Sequence, residues 1–307
     1  MPGRARPILA MSLCLGDAPV RYDGAAIADP FVKRLLPHVE LKPVCPEVEI
    51  GLGIPRDPIR IDRGRLVQPS TGADLTERMR TFADRWLSGL GEVDGFLLKS
   101  RSPSCGIRDT KRFRGGRVAG RGAGLFAEAV LALYPHAAVE DEARLSDGGL
   151  RERFLTKLFA LAELRRVRRT SDLARFHARQ TLLLTAYDPA SRAPLGRLAA
   201  STRPFPKVLA DYRARFAKAL SEPPRPEAHA NLLERAIGPL LKDLAPAEKA
   251  QVRASIRTLR SGRRTPGAPI ALLRAWLKRT PTPEFAHQSY LDPYPETLAD
   301  GDGRGTG

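Results

Sequence analysis

The sequence predicts an α/β domain, a parallel sheet with helices on both faces, followed by an all-α domain. Three observations predict this. Short continuous apolar runs alternate with helical patterns through the first 150 residues, as buried parallel strands and their crossovers do. From Arg151 the pattern changes to amphipathic helices separated by Pro and Gly, with no strand of comparable strength. The length of 307 residues suggests about two domains.

The elements follow in order. Ile8-Leu9-Ala10-Met11-Ser12-Leu13 is an apolar strand that ends in the turn Cys14-Leu15-Gly16-Asp17. Leu41–Val44 is a second short strand, ending at Cys45-Pro46-Glu47. Helical spacing runs from Leu75 to Leu90, with Asp74 as its N-cap. Val93–Leu98 is a third strand, and the polar run Lys99–Gly106 follows it. Lys111–Gly124 reads as a Gly- and Arg-rich loop before a helix over Leu125–Leu133, and Ala138–Leu150 as a last strand and turn. Further helices are expected over Arg151–Arg169, Leu173–Tyr187, Pro206–Leu220, Ala228–Leu241, Pro246–Arg260 and Ile270–Lys278. The expected domains are therefore 1–150 and 151–300, with 301–307 a disordered Gly-rich tail.

Charge is uneven between these halves. Lys and Arg number 51 against 34 Asp and Glu, a net charge of +17. Residues 1–150 hold 22 basic and 19 acidic residues, so most of the excess lies beyond them. That asymmetry points to a polyanion partner for the second half, with nucleic acid the first candidate; a basic, Arg-preferring soluble protein gives the same balance. No stretch approaches the roughly 20 apolar residues of a membrane span, and the basic start does not read as a signal peptide. A cytoplasmic, reducing location is expected. Three cysteines cannot form a disulfide framework there, and thiols suit metal or catalysis better.

Each cysteine sits where a predicted strand ends. The spacings of 31 and 60 residues match no zinc-finger or ferredoxin run. The argument is topological: if the three strands are parallel neighbours, their carboxyl ends bring Cys14, Cys45 and Cys105 to one mouth, where ligands of such sheets bind. Three thiolates there can hold a soft metal or cluster with one position open. They can equally be three unrelated small buried hydrophobes.

Around them, Glu47 is a candidate general base if desolvation raises its pKa, or a carboxylate paired with Arg56. Ser102 can position substrate or water, or cap the turn before Pro103. Lys99, Ser100, Arg101 and Ser104 supply further donors where a substrate would sit. Two basic clusters are candidates for binding RNA: Arg165, Arg166, Arg168 and Arg169 on a predicted helix, and Arg112, Arg114, Arg117 and Arg121 among glycines. Gly120–Gly124 before a helix also resembles a phosphate-binding loop. His177 and His229 read as core or helix-surface histidines or as ligands. No Walker A loop, His-Glu-x-x-His or Cys-x-x-Cys occurs.

Ser12-Leu13-Cys14-Leu15-Gly16, Val20-Arg21-Tyr22-Asp23-Gly24, Pro43-Val44-Cys45-Pro46-Glu47, Gly53-Ile54-Pro55-Arg56 and Leu98–Gly106 together resemble the thiouracil and thiouridine desulfidase family, over about the first 150 residues. The second half resembles the YbgA-like helical domain often fused behind it, through Arg153-Phe154, Phe176-His177, Leu195–Leu198, His229–Leu233, Gly238–Leu240 and Gln288–Pro295. Where that domain usually has a His-Lys pair, this chain has Arg179-Gln180.

The first resemblance implies that Cys14, Cys45 and Cys105 hold a [4Fe-4S] cluster whose fourth iron takes the sulfur of a thiolated pyrimidine. Glu47 is then implied as the acid/base residue and Ser102 as a substrate-binding or catalytic group. The expected reaction is non-redox removal of sulfur from 4-thiouridine, as thiolated tRNA, nucleoside or thiouracil, with release of sulfide. Two other readings stand beside it: a zinc-dependent hydrolase at the same three cysteines, and a non-catalytic RNA-binding or stress-related interaction protein.

Overall fold

The computed structural model describes residues 3–16, 18–25, 29–237, 245–261, 267–279, 285 and 287–299. The tail expected to be disordered lies outside them. The chain divides into two compact units, Arg6–Phe154, and Leu155–Gly307 joined by Met1–Ala5.

The first unit contains, in chain order, β1 (Ile8–Ser12), α1 (Pro30–Leu35), β2 (Glu40–Val44), α2 (Pro46–Glu49), β3 (Arg60–Asp62), β4 (Arg65–Gln68), β5 (Ala73–Asp74), α3 (Thr76–Gly89), β6 (Gly95–Leu98), β7 (Thr110–Arg114), β8 (Arg117–Gly122), α4 (Leu125–Leu133) and β9 (Ala138–Asp141). Its main sheet has the order β2-β1-β6-β9, and every pairing in it is parallel. All residues of β1 and β6 are buried, so both faces of the sheet centre are covered, as the uniformly apolar runs require. Ala10, Phe96 and Leu98 share a core cluster with Met79, Phe82 and Leu87 of α3 and Phe126 and Val130 of α4. Leu9, Met11 and Leu97, one step out of phase along the strands, are equally buried. Asp74 accepts a hydrogen bond from the Thr76 amide at 3.0 Å and so helps start α3, although Leu75 occupies the N-cap itself.

A second, five-stranded sheet of order β5-β4-β3-β7-β8 was not legible in the sequence. The expected loop over Lys111–Gly124 is instead the hairpin β7–β8. Gly115 and Gly116, both at positive φ (58° and 78°), form the two-residue turn that right-twisted strands need. The Arg63-Gly64 pair, likewise at positive φ, turns β3 into β4.

The second unit is helical: α5 (Gly148–Arg165, in which the division between units falls), α6 (Thr170–Arg179), α7 (Thr181–Tyr187), α8 (Pro189–Ala199), α9 (Phe205–Ala219), α10 (Pro226–Ile237), α11 (Pro246–Arg260) and α12 (Gly267–Arg279). Its core includes Leu173, Leu184, Leu195, Tyr212, Phe216, Leu233 and Leu273. Two expectations change here. The helix expected over Leu173–Tyr187 breaks at Gln180, which is buried and accepts a bond from the Ser289 hydroxyl. The helix expected to Arg169 ends at Arg165, so Arg166, Arg168 and Arg169 lie in a connection and not on a helix face.

Candidate active site

The three cysteines follow adjacent parallel strands. Cys14 lies in the single 3₁₀ turn after β1, Cys45 caps α2 directly after β2, and Cys105 lies within the loop between β6 and β7. Ser12 pairs in register with Val44, and Met11 with Leu97, so the strands end side by side. All three cysteines line one cavity of about 410 Å3, together with Ser12, Arg21, Tyr22, Glu47, Arg56 and the segment Lys99–Pro103.

The thiols share one environment. Burial pushes Cys14 up to about 12, and the neighbouring Cys45 pushes in the same direction while Lys99 opposes. Burial likewise raises Cys45, and it raises Cys105 well above the ordinary thiol range. For Cys105 a hydrogen bond with Ser12 opposes that shift, and Glu47, Cys14 and Cys45 add to it. Thiols held neutral by burial become ligands when a bound cation displaces their protons. Among the described residues no three His, Cys, Asp or Glu side chains gather around a single ion. The all-sulfur donor set suits a soft metal or an iron–sulfur cluster.

Glu47, in the first turn of α2, holds four donors. Arg56 reaches Oε2 through Nε at 3.0 Å and Nη2 at 2.6 Å, while the hydroxyls of Ser102 and Ser104 donate to Oε1 at 3.3 and 3.0 Å. The expected pairing with Arg56 is present, but inside the cavity wall. Arg56 also ties down the approach segment, since its Nη1 donates to the Val20 carbonyl at 3.0 Å and its amide to the Tyr22 carbonyl.

Ser102 caps its turn as expected: its Oγ accepts from the amides of Ser104 and Cys105 at 3.1 Å each, which folds the loop. Ser104 is fully buried and turned onto Glu47, so it sits behind the cavity lining. Lys99 and Ser100 are engaged by Glu142, which the sequence reading missed. Glu142 accepts from Lys99 Nζ at 2.5 Å and from the Ser100 amide and hydroxyl at 2.8 and 2.6 Å. Its signal was available: it follows β9, another strand ending on the same edge. Arg101 is exposed, has φ of 61°, and is held through its amide by Asp109 at 2.9 Å.

The remaining candidates lie elsewhere. At the expected phosphate loop before α4, the amides of Gly124, Leu125 and Ala127 are already engaged, donating to the carbonyls of Gly106, Pro103 and Ser104. Arg112 folds back to Glu128 and the Ala123 carbonyl. Arg114, Arg117 and Arg121 are exposed on the hairpin. In the second unit Arg166 donates to the Gly3 carbonyl, Arg168 to the Arg165 and Val167 carbonyls, and Arg169 pairs with Asp172 at 3.3 Å; Arg165 is half-buried. His177 and His229 bond to the Tyr212 and Tyr290 hydroxyls at 3.0 and 2.8 Å. No helix among the described residues is long and apolar enough to cross a membrane.

Comparison with known proteins adds family information. The family model described as 2-thiouracil desulfurase matches residues 9–142, and that of DUF1722, a protein of unknown function, matches residues 182–295. The chain is 28% identical over 128 residues to the uncharacterized protein YbbK of Bacillus subtilis (strain 168), covering 38% of this chain and 85% of that one. It is also similar to a solved [4Fe-4S]-dependent thiouracil desulfidase, TudS, at 31% identity. That match covers 46% of this chain and 94% of the other, with a TM-score of 0.37.

Proposed function

Because the chain belongs, through residues 9–142, to the 2-thiouracil desulfurase family, we propose that it removes sulfur from thiolated pyrimidines in the cavity at the ends of β1, β2 and β6. The observation that carries this reading is the placement of Glu47, with its four donors, beside three thiols, two of them buried, in that cavity. The reaction exchanges C=S for C=O: water supplies the oxygen and sulfur leaves as hydrogen sulfide, with no net electron transfer.

Cys14, Cys45 and Cys105 would hold a [4Fe-4S] cluster. When bound, it supplies a soft Lewis acid for a thiocarbonyl sulfur. The chain's own groups do the rest. Glu47 takes a proton from the attacking water at Oε1, the oxygen that Ser102 and Ser104 already address. Arg56 fixes the other oxygen, so the carboxylate does not rotate away. Ser102 donates its one hydroxyl proton to the same oxygen, and would hand a hydrogen bond to the substrate only in exchange for that one. Lys99, kept in the wall by Glu142, adds positive charge beside Cys14.

The substrate we favour is 4-thiouridine, free or within RNA. The test is anaerobic reconstitution of the full chain, followed by incubation with 4-thiouracil, 4-thiouridine and thiolated tRNA. Loss of thione absorbance with matching sulfide release is expected for at least one of them. A reconstituted protein that shows the cluster spectrum and releases no sulfide from any of the three overturns the reading. An active but colourless protein points to zinc instead.

A further inference from the structure

We propose that the β7–β8 hairpin is a docking arm for the phosphate backbone of an RNA that carries the thiolated pyrimidine, an inference that rests on the desulfidase reading. The hairpin carries Lys111, Arg112, Arg114, Arg117 and Arg121, and no acidic residue occurs between Thr110 and Ala127. β8 is an edge strand, and its first five residues are exposed.

The register makes this charge unusual. Lys111 lies opposite Arg121, and Arg114 lies opposite Arg117. Directly opposed side chains share a face, and like charges there destabilise the ladder. One or two cations suffice to keep an edge strand from pairing with another chain, whereas opposed pairs near both ends of the hairpin go beyond that need. Among the described residues no carboxylate pairs with Lys111, Arg114 or Arg117. The hairpin's ion pair with Glu128 engages Arg112, which is turned back toward α4. The repulsion that remains is the kind a row of phosphates relieves.

Position decides which polyanion. The base of the hairpin is bonded to the cavity wall, since the Thr110 hydroxyl donates to the Ser102 carbonyl at 2.7 Å. Asp109 next to it takes the Arg101 amide at 2.9 Å, and its carbonyl takes Arg121 Nη1 at 3.1 Å. At about 3.4 Å per residue, Arg114 stands about 14 Å beyond Thr110, the length of about four stacked nucleotides. A basic track that begins at the wall of a pyrimidine cavity fits a nucleic acid strand better than a lipid surface.

The test uses the full chain carrying Lys111→Gln, Arg114→Gln and Arg117→Gln together. Binding of a short unmodified single-stranded RNA is followed by fluorescence anisotropy at several salt concentrations. At least tenfold weaker binding is expected, and the slope of log K against log salt should be shallower by about 2, for three lost phosphate contacts. Turnover of the 4-thiouridine nucleoside should be unchanged. Affinity and slope within twofold of the parent overturn the arm. So does a loss of binding to phosphatidylserine vesicles with RNA binding intact. The charge-keeping variant Arg114→Lys with Arg117→Lys should bind RNA as the parent does; weakening equal to that of the Gln variant would mean the hairpin's shape, not its charge, was lost, and would also overturn the proposal. Absence of nucleoside turnover in the parent would count against the desulfidase reading alone, because the anisotropy readout needs no chemistry.

Discussion

Arg56 and Glu47 form a two-pronged ion pair with both side chains largely buried, at 6% and 14% exposure. Removing one partner of such a pair strands the other. Arg56→Ala should destabilise the protein by about 3–5 kcal/mol in urea unfolding, because the carboxylate stays behind without its counter-ion. Glu47→Gln leaves the buried Arg56 guanidinium without its counter-ion, so it should also lower the unfolding midpoint, and turnover should fall by roughly 10²–10⁴-fold. An Arg56→Ala chain as stable as its parent would show that the pair is not what holds this wall of the cavity.

Lys99 and Glu142 should act as a unit. Glu142→Gln removes the charge that fixes Lys99 Nζ, and Lys99→Met removes the ammonium itself. Each change should lower kcat/KM by about tenfold, roughly the value of one charge-assisted hydrogen bond. The double variant should lose little more than either single one. Strictly additive losses in that cycle would separate the two residues.

The thiols carry a simpler expectation. Cys14→Ser, Cys45→Ser and Cys105→Ser, made singly, should each lose the brown absorbance after anaerobic reconstitution, since serine is a poor ligand for soft iron. A variant that keeps the full visible spectrum identifies a cysteine that is not a ligand.

Much of this site was legible because strand ends announce themselves. An uninterrupted apolar run followed by polar and turn residues marks where a buried parallel strand leaves the sheet, and Cys14, Cys45 and Cys105 all stand there. Glu142 obeys the same rule after β9, but within the strand and turn expected over Ala138–Leu150 the carboxylates Glu140 and Asp141 blur where the strand ends. Glu140 is tolerated there because Arg144 and Arg153 pair with it. The second sheet escaped for a related reason. β8 is exposed and rich in Arg and Gly, and β7 reads Thr-Lys-Arg-Phe-Arg with one buried residue, so the pair left no apolar period to read. The Gly115-Gly116 turn was the one hairpin signal, and it was read as part of a loop.

Gly124 joins the Cys105-bearing loop after β6 to the start of α4. A Cβ at this position would lie 2.5 Å from the Ser104 carbonyl oxygen and 2.7 Å from that of Pro103, both backbone atoms. Gly124→Ala therefore has to push the loop that aims Ser102 and Ser104 at Glu47. It should cost about 1–3 kcal/mol of stability, typical of an overpacked site, and should reduce turnover together with it. Retention of full activity and stability would mean that the loop and the start of α4 can separate without consequence.

His229 in the helical unit gives a pH dependence with a definite sign. Burial holds its imidazole down at about 4, and its Nδ1 faces the Tyr290 hydroxyl at 2.8 Å while the Tyr187 ring meets it edge-on. Its unfolded value is the ordinary 6.5. Between these two values the unfolded chain binds a proton that the folded chain refuses, so stability rises with pH across that interval. The contribution is complete above about pH 6.5 and is lost progressively as pH falls toward 4, by at most about 3 kcal/mol. His177, also lowered by burial, adds a change of the same sign. Urea unfolding of the full chain at pH 7 and pH 5 should show the loss, and His229→Gln should flatten the difference between the two. An equal pH dependence in parent and variant would mean that the proton taken up on unfolding goes to a different group.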